Sequence, residues 1–221
     1  MFTTVLLVAA VTVPGTLTPR EACEISSTVL RDMRYVEGKY ADPGDFSHPK
    51  VKRRIDSCEE ITKLAIAHGE DVVFASVAVA YNETNFDKTR HGKPILGKKG
   101  EQGRMQVMYK HHCKGVADLD GGKGICLNPE RAGVRVLRGF LGSTPSAREI
   151  GRAKKWIRDL RKKRLAEGKP PTVLRSKHAS LVFRLHRYNG SPHYGLKVAA
   201  LYVTIQKARQ RKVQQVALVS P

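Results

Sequence analysis

An uninterrupted apolar run at residues 72–80 constrains the fold of this chain more than any other stretch. It reads VVFASVAVA, it contains neither Gly nor Pro, and the polar segment NETN follows shortly after it, at residues 82–85. The length of the run and the absence of helix breakers predict a helix that is buried in the core. This helix ends at Glu83, where it meets open space.

Glu83 is the candidate catalytic residue that this helix provides. Val79 and Ala80 lie one turn before it, so its side chain is on or beside the apolar face. Partial removal from water disfavours a charged carboxylate and raises its pKa, as a proton donor near neutral pH requires. A solvated glutamate at a helix end is the ordinary alternative, because Glu is rarely buried.

Three short motifs follow one another along the chain. They read ETNF at residues 83–86, GEQGRMQ at 100–106 and RYNG at 187–190. Their order resembles that of the soluble lytic transglycosylases of the lysozyme-like superfamily, whose signature is E-S-x-F, then G-x-x-G-L-M-Q, then A-Y-N-x-G. The segments at 128–137 and 194–198 are similar to two further parts of that pattern. A family member that is carried in a phage particle fits the same resemblance.

The chain also departs from the family pattern at several positions. Thr84 stands where Ser is usual and keeps the hydroxyl, and Val136 stands where an aromatic is usual. Arg104 replaces the usual Leu, which predicts a positive charge near the cleft. The interval between Leu137 and Tyr188 is long for the family, and it contains a strongly basic segment.

The resemblance implies a mainly α fold with a lysozyme-like catalytic domain of the lytic-transglycosylase type. This domain is expected at residues 61–215. Residues 1–60 would form an N-terminal apolar segment and a helical extension, and residues 143–180 a basic helical insert. An apolar content of 41% in 221 residues is enough for a hydrophobic core of this size.

The resemblance also implies a reaction, cleavage of the β-1,4 bond between MurNAc and GlcNAc in peptidoglycan with formation of 1,6-anhydro-MurNAc. Glu83 would be the single general acid and base. The spacing of acidic residues suggests no convincing second carboxylate, and this route requires neither a second carboxylate nor a cofactor nor a metal. The implied substrate-binding residues are Thr84, Met105, Gln106, Tyr188, Asn189 and Tyr194.

These substrate-binding residues have different implied roles. The Thr84 hydroxyl would bond the Glu83 carboxyl or the substrate N-acetyl group, and Gln106 would bond sugar polar groups. Met105 would form an apolar wall and Tyr194 a sugar-stacking ring. Tyr188 and Asn189 would face Glu83 from across the cleft.

A formal net charge of +20 predicts anionic partners. Ten Lys or Arg residues and only three Asp or Glu fall in residues 146–169, and apolar residues recur there at helical spacing. The segment is therefore predicted to be an amphipathic basic helix, which either exposes a solvated face or binds DNA or an anionic cell-wall polymer. The candidate anion-binding residues are Lys154, Lys155, Arg158, Arg161, Lys162 and Lys163.

Two other functions are compatible with the sequence. A peptidoglycan hydrolase resembling goose-type lysozyme would need an acid that positions water, for which Asp87 and Asp118 are candidates. A basic virion structural or nucleic-acid-binding protein could use a lysozyme-like fold without catalysis, as the high positive charge suggests.

The N-terminus and the cysteines bear on where the protein works. The apolar run at residues 5–13 is either a secretory signal or a structural segment, and no segment is predicted to cross a membrane. The four cysteines allow three disulfide connectivities on an export route, where Cys113–Cys126 would close a short loop and Cys23–Cys58 would tie the N-terminal helices down. In a protein made and packaged in a cytosol all four would stay reduced. Action on peptidoglycan implies the periplasmic or extracellular cell-wall space, which a secreted protein or one delivered in a phage particle can reach.

Overall fold

The fold was derived from a computed structural model that describes residues 17–87, 89–90, 93–94, 96–97 and 99–219. The apolar run at residues 5–13 lies outside this part of the chain. The described residues form a mainly helical structure. Its α-helices are α1 Pro19–Val29, α2 Pro49–Ala65, α3 Glu70–Thr84, α4 Tyr109–His112, α5 Pro129–Gly142, α6 Ala147–Ala166, α7 Ala179–Asn189 and α8 Pro192–Val219.

Short elements connect these helices. Three antiparallel pairs of two-residue strands are described: β1 Tyr35–Val36 with β2 Lys39–Tyr40, β3 Thr89–Arg90 with β4 Lys93–Pro94, and β5 Glu101–Gln102 with β6 Val107–Met108. Single 3-10 turns occupy Arg31–Arg34, Ile66–His68 and Ser176–His178. The mainly α class predicted from the sequence is therefore confirmed.

Helix α3 is the centre of the fold. Every residue from Val72 to Ala80 is buried, so the helix is enclosed on all sides, as its apolar sequence predicts. It packs against α1, α2, α5 and α8. Gly69 precedes it with a φ of 93°, and Asn85 ends it in the left-handed conformation with a φ of 49°. The left-handed residue stops the helix one position after Thr84 and leaves Glu83 in its last turn.

The helices of the N-terminal segment pack into the same core as the rest of the chain. Cys23 from α1 and Ile55 from α2 belong to one hydrophobic cluster with Val198 and Ile205 from α8. Arg209 of α8 also forms an ion pair with Glu21 of α1, at 3.0 Å. Residues 17–60 and 61–215 therefore share a single core.

The four cysteines form two disulfides, Cys23–Cys58 and Cys113–Cys126. The first joins α1 to α2 within the main core. The second closes a loop over a separate, smaller apolar cluster that lies beside the β5–β6 hairpin and includes Leu119. Each disulfide therefore fastens a different hydrophobic cluster.

Helix α6 has the bounds expected of the basic segment to within a few residues. Ser146 caps its first turn by accepting from the Glu149 N–H, and Glu149 accepts in return from the Ser146 N–H. Trp156 stacks on Phe183 of α7, with ring centroids 6.2 Å apart. One face of α6 is thus fixed to the domain and its other faces meet solvent.

Candidate active site

Glu83 lines a cleft of about 340 Å³ at the end of α3. The other residues around it come from the loop before β5, from the β5–β6 hairpin and from the end of α7. They are Gly97, Lys99, Glu101, Gln106, Tyr188 and Asn189. We call this the Glu83 cleft. It brings the end of α3 and the segment at residues 97–106 together with the end of α7, which lies far along the chain from both.

The surroundings of Glu83 raise the pKa of its carboxyl above the usual value. Burial is the main cause, and the negative charge of Glu101 acts in the same direction. The Tyr194 hydroxyl and the Lys197 ammonium partly offset this rise. Protonated Glu83 is therefore favoured at a higher pH than an ordinary glutamic acid, as a general acid requires.

Glu101 is a second carboxylate in this cleft, and the sequence did not suggest it. Its Oε2 accepts the backbone N–H of Lys99 at 2.8 Å. Gly97 lies so close that a Cβ there would overlap both the Glu101 and the Gln106 side chains. The only signal in the sequence was its position inside the GEQG turn, where its role depends on how the hairpin folds.

The β5–β6 hairpin shapes one wall of the cleft. Gly103 has a φ of 72° at the turn, and Gln106 follows with a φ of 50°. The Gln106 side chain donates from Nε2 to the Gly103 carbonyl at 2.7 Å. Gln102 donates to the Gly124 carbonyl and accepts from the Cys126 N–H, so it ties the hairpin to the Cys113–Cys126 loop.

Two stacked tyrosines stand on the opposite side of the site, Tyr188 in the lining of the cleft and Tyr194 behind it. The Tyr188 hydroxyl donates to the Met105 carbonyl at 2.7 Å, which joins α7 to the hairpin. The Tyr188 and Tyr194 rings stack with centroids 6.2 Å apart. Burial and the nearby Glu83 charge raise the pKa of both phenols, so both stay protonated. The Tyr194 hydroxyl is near enough to Glu83 to lower the pKa of its carboxyl. Its geometry does not meet the criteria for a hydrogen bond to any described residue.

The structure separates the predicted substrate-binding residues into two groups. Gln106, Tyr188 and Asn189 line the Glu83 cleft. The other three, Thr84, Met105 and Tyr194, do not line the cleft and pack behind its walls. The role expected for each of them was therefore wrong.

The Thr84 hydroxyl bonds the backbone carbonyl of Arg104 at 3.0 Å, because the hairpin packs against the end of α3. Met105 is fully buried against Gly133 of α5 and presents no wall to a substrate. Tyr194 is only 7% exposed, and its ring is stacked on Tyr188 instead of open to a sugar.

Arg104 does not place a charge in the cleft, so this expectation was also wrong. Its guanidinium is buried and forms ion pairs with Glu60 at 2.8 Å and Glu130 at 3.0 Å. It also donates to the Ser57 carbonyl at 2.8 Å. Arg104 thus fastens the hairpin to α2 and α5, and its charge is neutralised there.

The acids considered for a hydrolase lie elsewhere. Asp87 lines a different cavity and faces Arg54 at 3.8 Å. Asp118 is exposed and pairs with Arg131 at 3.3 Å. Neither lines the Glu83 cleft, whereas Glu101 does.

Four of the six predicted anion-binding residues line another cavity, of about 530 Å³. It lies between α6 and the segment that follows it. The cationic residues around it are Lys154, Arg158, Arg161, Lys162 and, unforeseen from the sequence, Lys169. We call this cavity the basic pocket. Lys155 and Lys163 do not line it, and Lys163 instead faces Glu167 at 3.8 Å.

Within the described residues, no group of three or more His, Cys, Asp or Glu side chains could hold a metal ion. No helix in that part of the chain is long and apolar enough to cross a membrane. Comparisons with protein-family models, with curated proteins and with solved structures found no match to this chain.

Proposed function

We propose that this chain is a lytic transglycosylase that cleaves the β-1,4 bond between MurNAc and GlcNAc in peptidoglycan. The observation that carries the proposal is the carboxyl of Glu83, which lines an open cleft and has a raised pKa. The order of the ETNF, GEQGRMQ and RYNG motifs supports the choice of substrate and reaction.

The proposed reaction needs one carboxyl group in two protonation states. Protonated Glu83 gives its proton to the glycosidic oxygen as the bond from that oxygen to C1 of MurNAc breaks. The substrate N-acetyl group stabilises the positive charge that develops at C1. The Glu83 carboxylate then takes the proton of the C6 hydroxyl as O6 bonds to C1, which regenerates the acid and closes the 1,6-anhydro ring.

The other residues of the cleft would bind and orient the sugar. The amides of Gln106 and Asn189 are suited to hydrogen bonds with hydroxyl and acetamido groups. Tyr188 is committed to the Met105 carbonyl through its hydroxyl, so it holds the hairpin and α7 at a fixed separation. Its role in this proposal is therefore to position the cleft.

The raised pKa of Glu83 sets the expected pH dependence. Glu83 must be protonated to begin the reaction, so activity falls as the pH rises through its pKa. Because the Glu101 charge contributes to the rise, Glu101→Gln should lower the pKa of Glu83. The alkaline fall in activity should then move to lower pH. The control is Asp118→Asn, which removes an exposed carboxylate elsewhere and should leave the pH profile unchanged.

A peptidoglycan hydrolase is the second candidate, and Glu101 is the observation that favours it. Enzymes that hydrolyse a glycosidic bond usually have two carboxyl groups in the active site, one that protonates the leaving oxygen and one that activates the attacking water molecule. Glu101 would take the part for which the sequence suggested Asp87 or Asp118. It would accept a proton from water while Glu83 protonates the leaving oxygen.

The mass of the products separates the two reactions. Transglycosylation yields anhydro-muropeptides, which are lighter by one water than the reducing-end products of hydrolysis. Digestion of purified sacculi followed by mass spectrometry should yield anhydro ends. Reducing ends that disappear in the Glu101→Gln variant would establish the hydrolase instead. Sacculi left intact by the wild-type protein would favour the non-catalytic alternative, a structural or nucleic-acid-binding protein.

The proposed substrate places the protein in the periplasmic or extracellular cell-wall space, whether it is secreted or delivered in a phage particle. Two disulfides support this location, because such bonds persist mainly in oxidising compartments. N-terminal sequencing of the mature protein tests the two routes, since a secreted form would lack the apolar run at residues 5–13.

A further inference from the structure

The basic pocket concentrates positive charge that the rest of the described structure does not neutralise. Lys154, Arg158, Arg161 and Lys162 form no ion pair within the described residues, while Lys169 pairs with Glu167 at 2.8 Å. All five side chains are exposed. These clustered cations repel one another, which destabilises the folded state. An anionic partner would relieve the repulsion and would therefore bind strongly at this pocket.

Helical spacing places four of these cations on one face of α6. Residues 154, 158, 161 and 162 differ by four, seven and eight positions, which keeps them on one side of the helix. Gly168 then reverses the chain with a φ of 63°, and Arg164 donates to the Pro170 carbonyl at 2.6 Å. This turn folds Lys169 back toward the same face, so the five charges surround one concave surface.

The pocket is also apolar, which an attachment site for a simple polyanion does not require. Ile157 and Pro171 form part of its lining, and Leu165 lies on the same helical face as the cations. Leu165 is 81% exposed, although it is surrounded by charged side chains. An exposed leucine within a cationic ring is typical of surfaces that enter the interface of a lipid bilayer.

We propose that the basic pocket docks the protein on a membrane surface that contains anionic phospholipids. The headgroup phosphates would contact the cations of the pocket, and Leu165 would enter the boundary between headgroups and acyl chains. Duplex DNA could pair with the cations through its phosphates, but its backbone has no apolar layer that would cover Leu165. A membrane surface can do both. This site is separate from the Glu83 cleft and does not depend on the reaction proposed there.

Vesicle co-sedimentation with the full chain tests the charge requirement. The protein should bind vesicles of phosphatidylglycerol and phosphatidylcholine at physiological salt, and pure phosphatidylcholine vesicles at least tenfold more weakly. The double variant Arg158→Gln with Arg161→Gln should lose binding by about tenfold or more, since each cation near an anionic surface contributes severalfold. The control is Arg148→Gln with Lys155→Gln, which removes two exposed charges from the same helix outside the pocket and should change binding less than threefold.

A substitution without charge separates a membrane from a polyanion. Leu165→Gln should weaken vesicle binding about threefold or more and leave binding to duplex DNA unchanged. Leu218→Gln is the matched control, since Leu218 is 85% exposed and lies far along the chain from the pocket. All these positions are exposed, and circular dichroism checks that the variants fold.

The proposal is overturned by any of three results. Wild-type protein could fail to distinguish the two kinds of vesicle. The pocket pair and the control pair could weaken binding equally, which would assign the effect to net charge. Leu165→Gln could leave vesicle binding intact while the pocket pair abolishes it, which would assign the pocket to a polyanion such as DNA.

Discussion

The Glu83 cleft and the basic pocket both depend on charged side chains, but their charges are arranged differently. The cleft holds two carboxylates, and enclosure together with the second charge raises the pKa of the first. The basic pocket presents five exposed cations, of which one has an acidic partner among the described residues. In the cleft the environment changes the chemistry of one group. In the basic pocket each cation keeps its ordinary chemistry, and the attraction for an anion comes from having several of them close together.

This difference predicts how each region responds to substitution. Removing one group from the cleft should abolish a function or change its pH dependence. Removing one exposed charge from α6 should have little effect on the stability of the fold, because solvent and mobile ions screen it, and should weaken anion binding by only severalfold. The following experiments test the contrast in order of expected effect.

Glu83→Gln should have the largest effect on activity. It keeps the shape of the side chain and removes the proton donor, so cleavage of sacculi should fall roughly 10²–10⁴-fold. Turbidity clearance by the purified variant measures this loss. A variant that clears sacculi at the wild-type rate would show that Glu83 is not the acid.

The same variant should not be less stable than the wild type at neutral pH. A raised folded-state pKa means that Glu83 contributes stability below its unfolded-state pKa, and that this contribution is lost as the pH rises through the folded-state pKa. The amide that replaces the carboxyl in the variant does not titrate, so it has no such loss. As the pH rises through the folded-state pKa of Glu83, the melting temperature of the wild type should therefore fall relative to that of the variant.

Arg104→Leu should have the largest effect on stability. It introduces the residue that is usual in the lytic-transglycosylase motif that the sequence resembles, but it leaves the largely buried Glu130 without its cation and removes the bond to Ser57. We expect a loss of roughly 3–5 kcal/mol in the free energy of unfolding in urea. Arg131→Leu breaks an exposed ion pair and should cost less than about 1 kcal/mol. Equal losses would remove the distinction between buried and exposed charges.

Tyr188→Phe should have a smaller effect. It removes the hydrogen bond to the Met105 carbonyl and leaves that acceptor without its partner, which should cost about 1 kcal/mol of stability. Tyr35→Phe alters a tyrosine that is 42% exposed and should be neutral. A loss of cleavage in Tyr188→Phe much greater than its loss of stability would give the phenol a direct part in the reaction.

Lys155→Gln should have the smallest effect. Lys155 is exposed on α6, outside both the cleft and the basic pocket. Its replacement should change the unfolding free energy by less than about 0.5 kcal/mol. Turnover of short soluble glycan fragments should stay within twofold of the wild type. A larger loss of turnover would show that this face of α6 contributes to the active site.

Local sequence signals predicted the helices well. The run at residues 72–80 predicted α3 because a segment that is apolar on every side can only be buried. Thr18 caps α1 by accepting the Glu21 N–H, an arrangement that a Thr three residues before a Glu predicts. The helix ends at Val29 because Leu30 leaves the helical conformation with a ψ of 75° and a 3-10 turn follows.

Long-range pairings could not be predicted. The partners of Arg104 lie 44 and 26 residues away, so no local pattern indicated that its charge would be buried. Glu101 enters the cleft only because the hairpin reverses at Gly103 and returns along β6. The disulfides are an exception, because both pairs that the sequence suggested, Cys113–Cys126 across a short loop and Cys23–Cys58 between the N-terminal helices, are the pairs that form.

The single core shared by α1, α2 and α8 limits how the protein can be dissected. A fragment that begins at residue 61 would cut through α2, which ends at Ala65, and would remove the disulfide that joins it to α1. The sides of α3 and α8 that face these helices would be exposed to water. Such a fragment would be a poor candidate for isolated expression or for grafting onto another protein, and a transferable unit has to begin before α1.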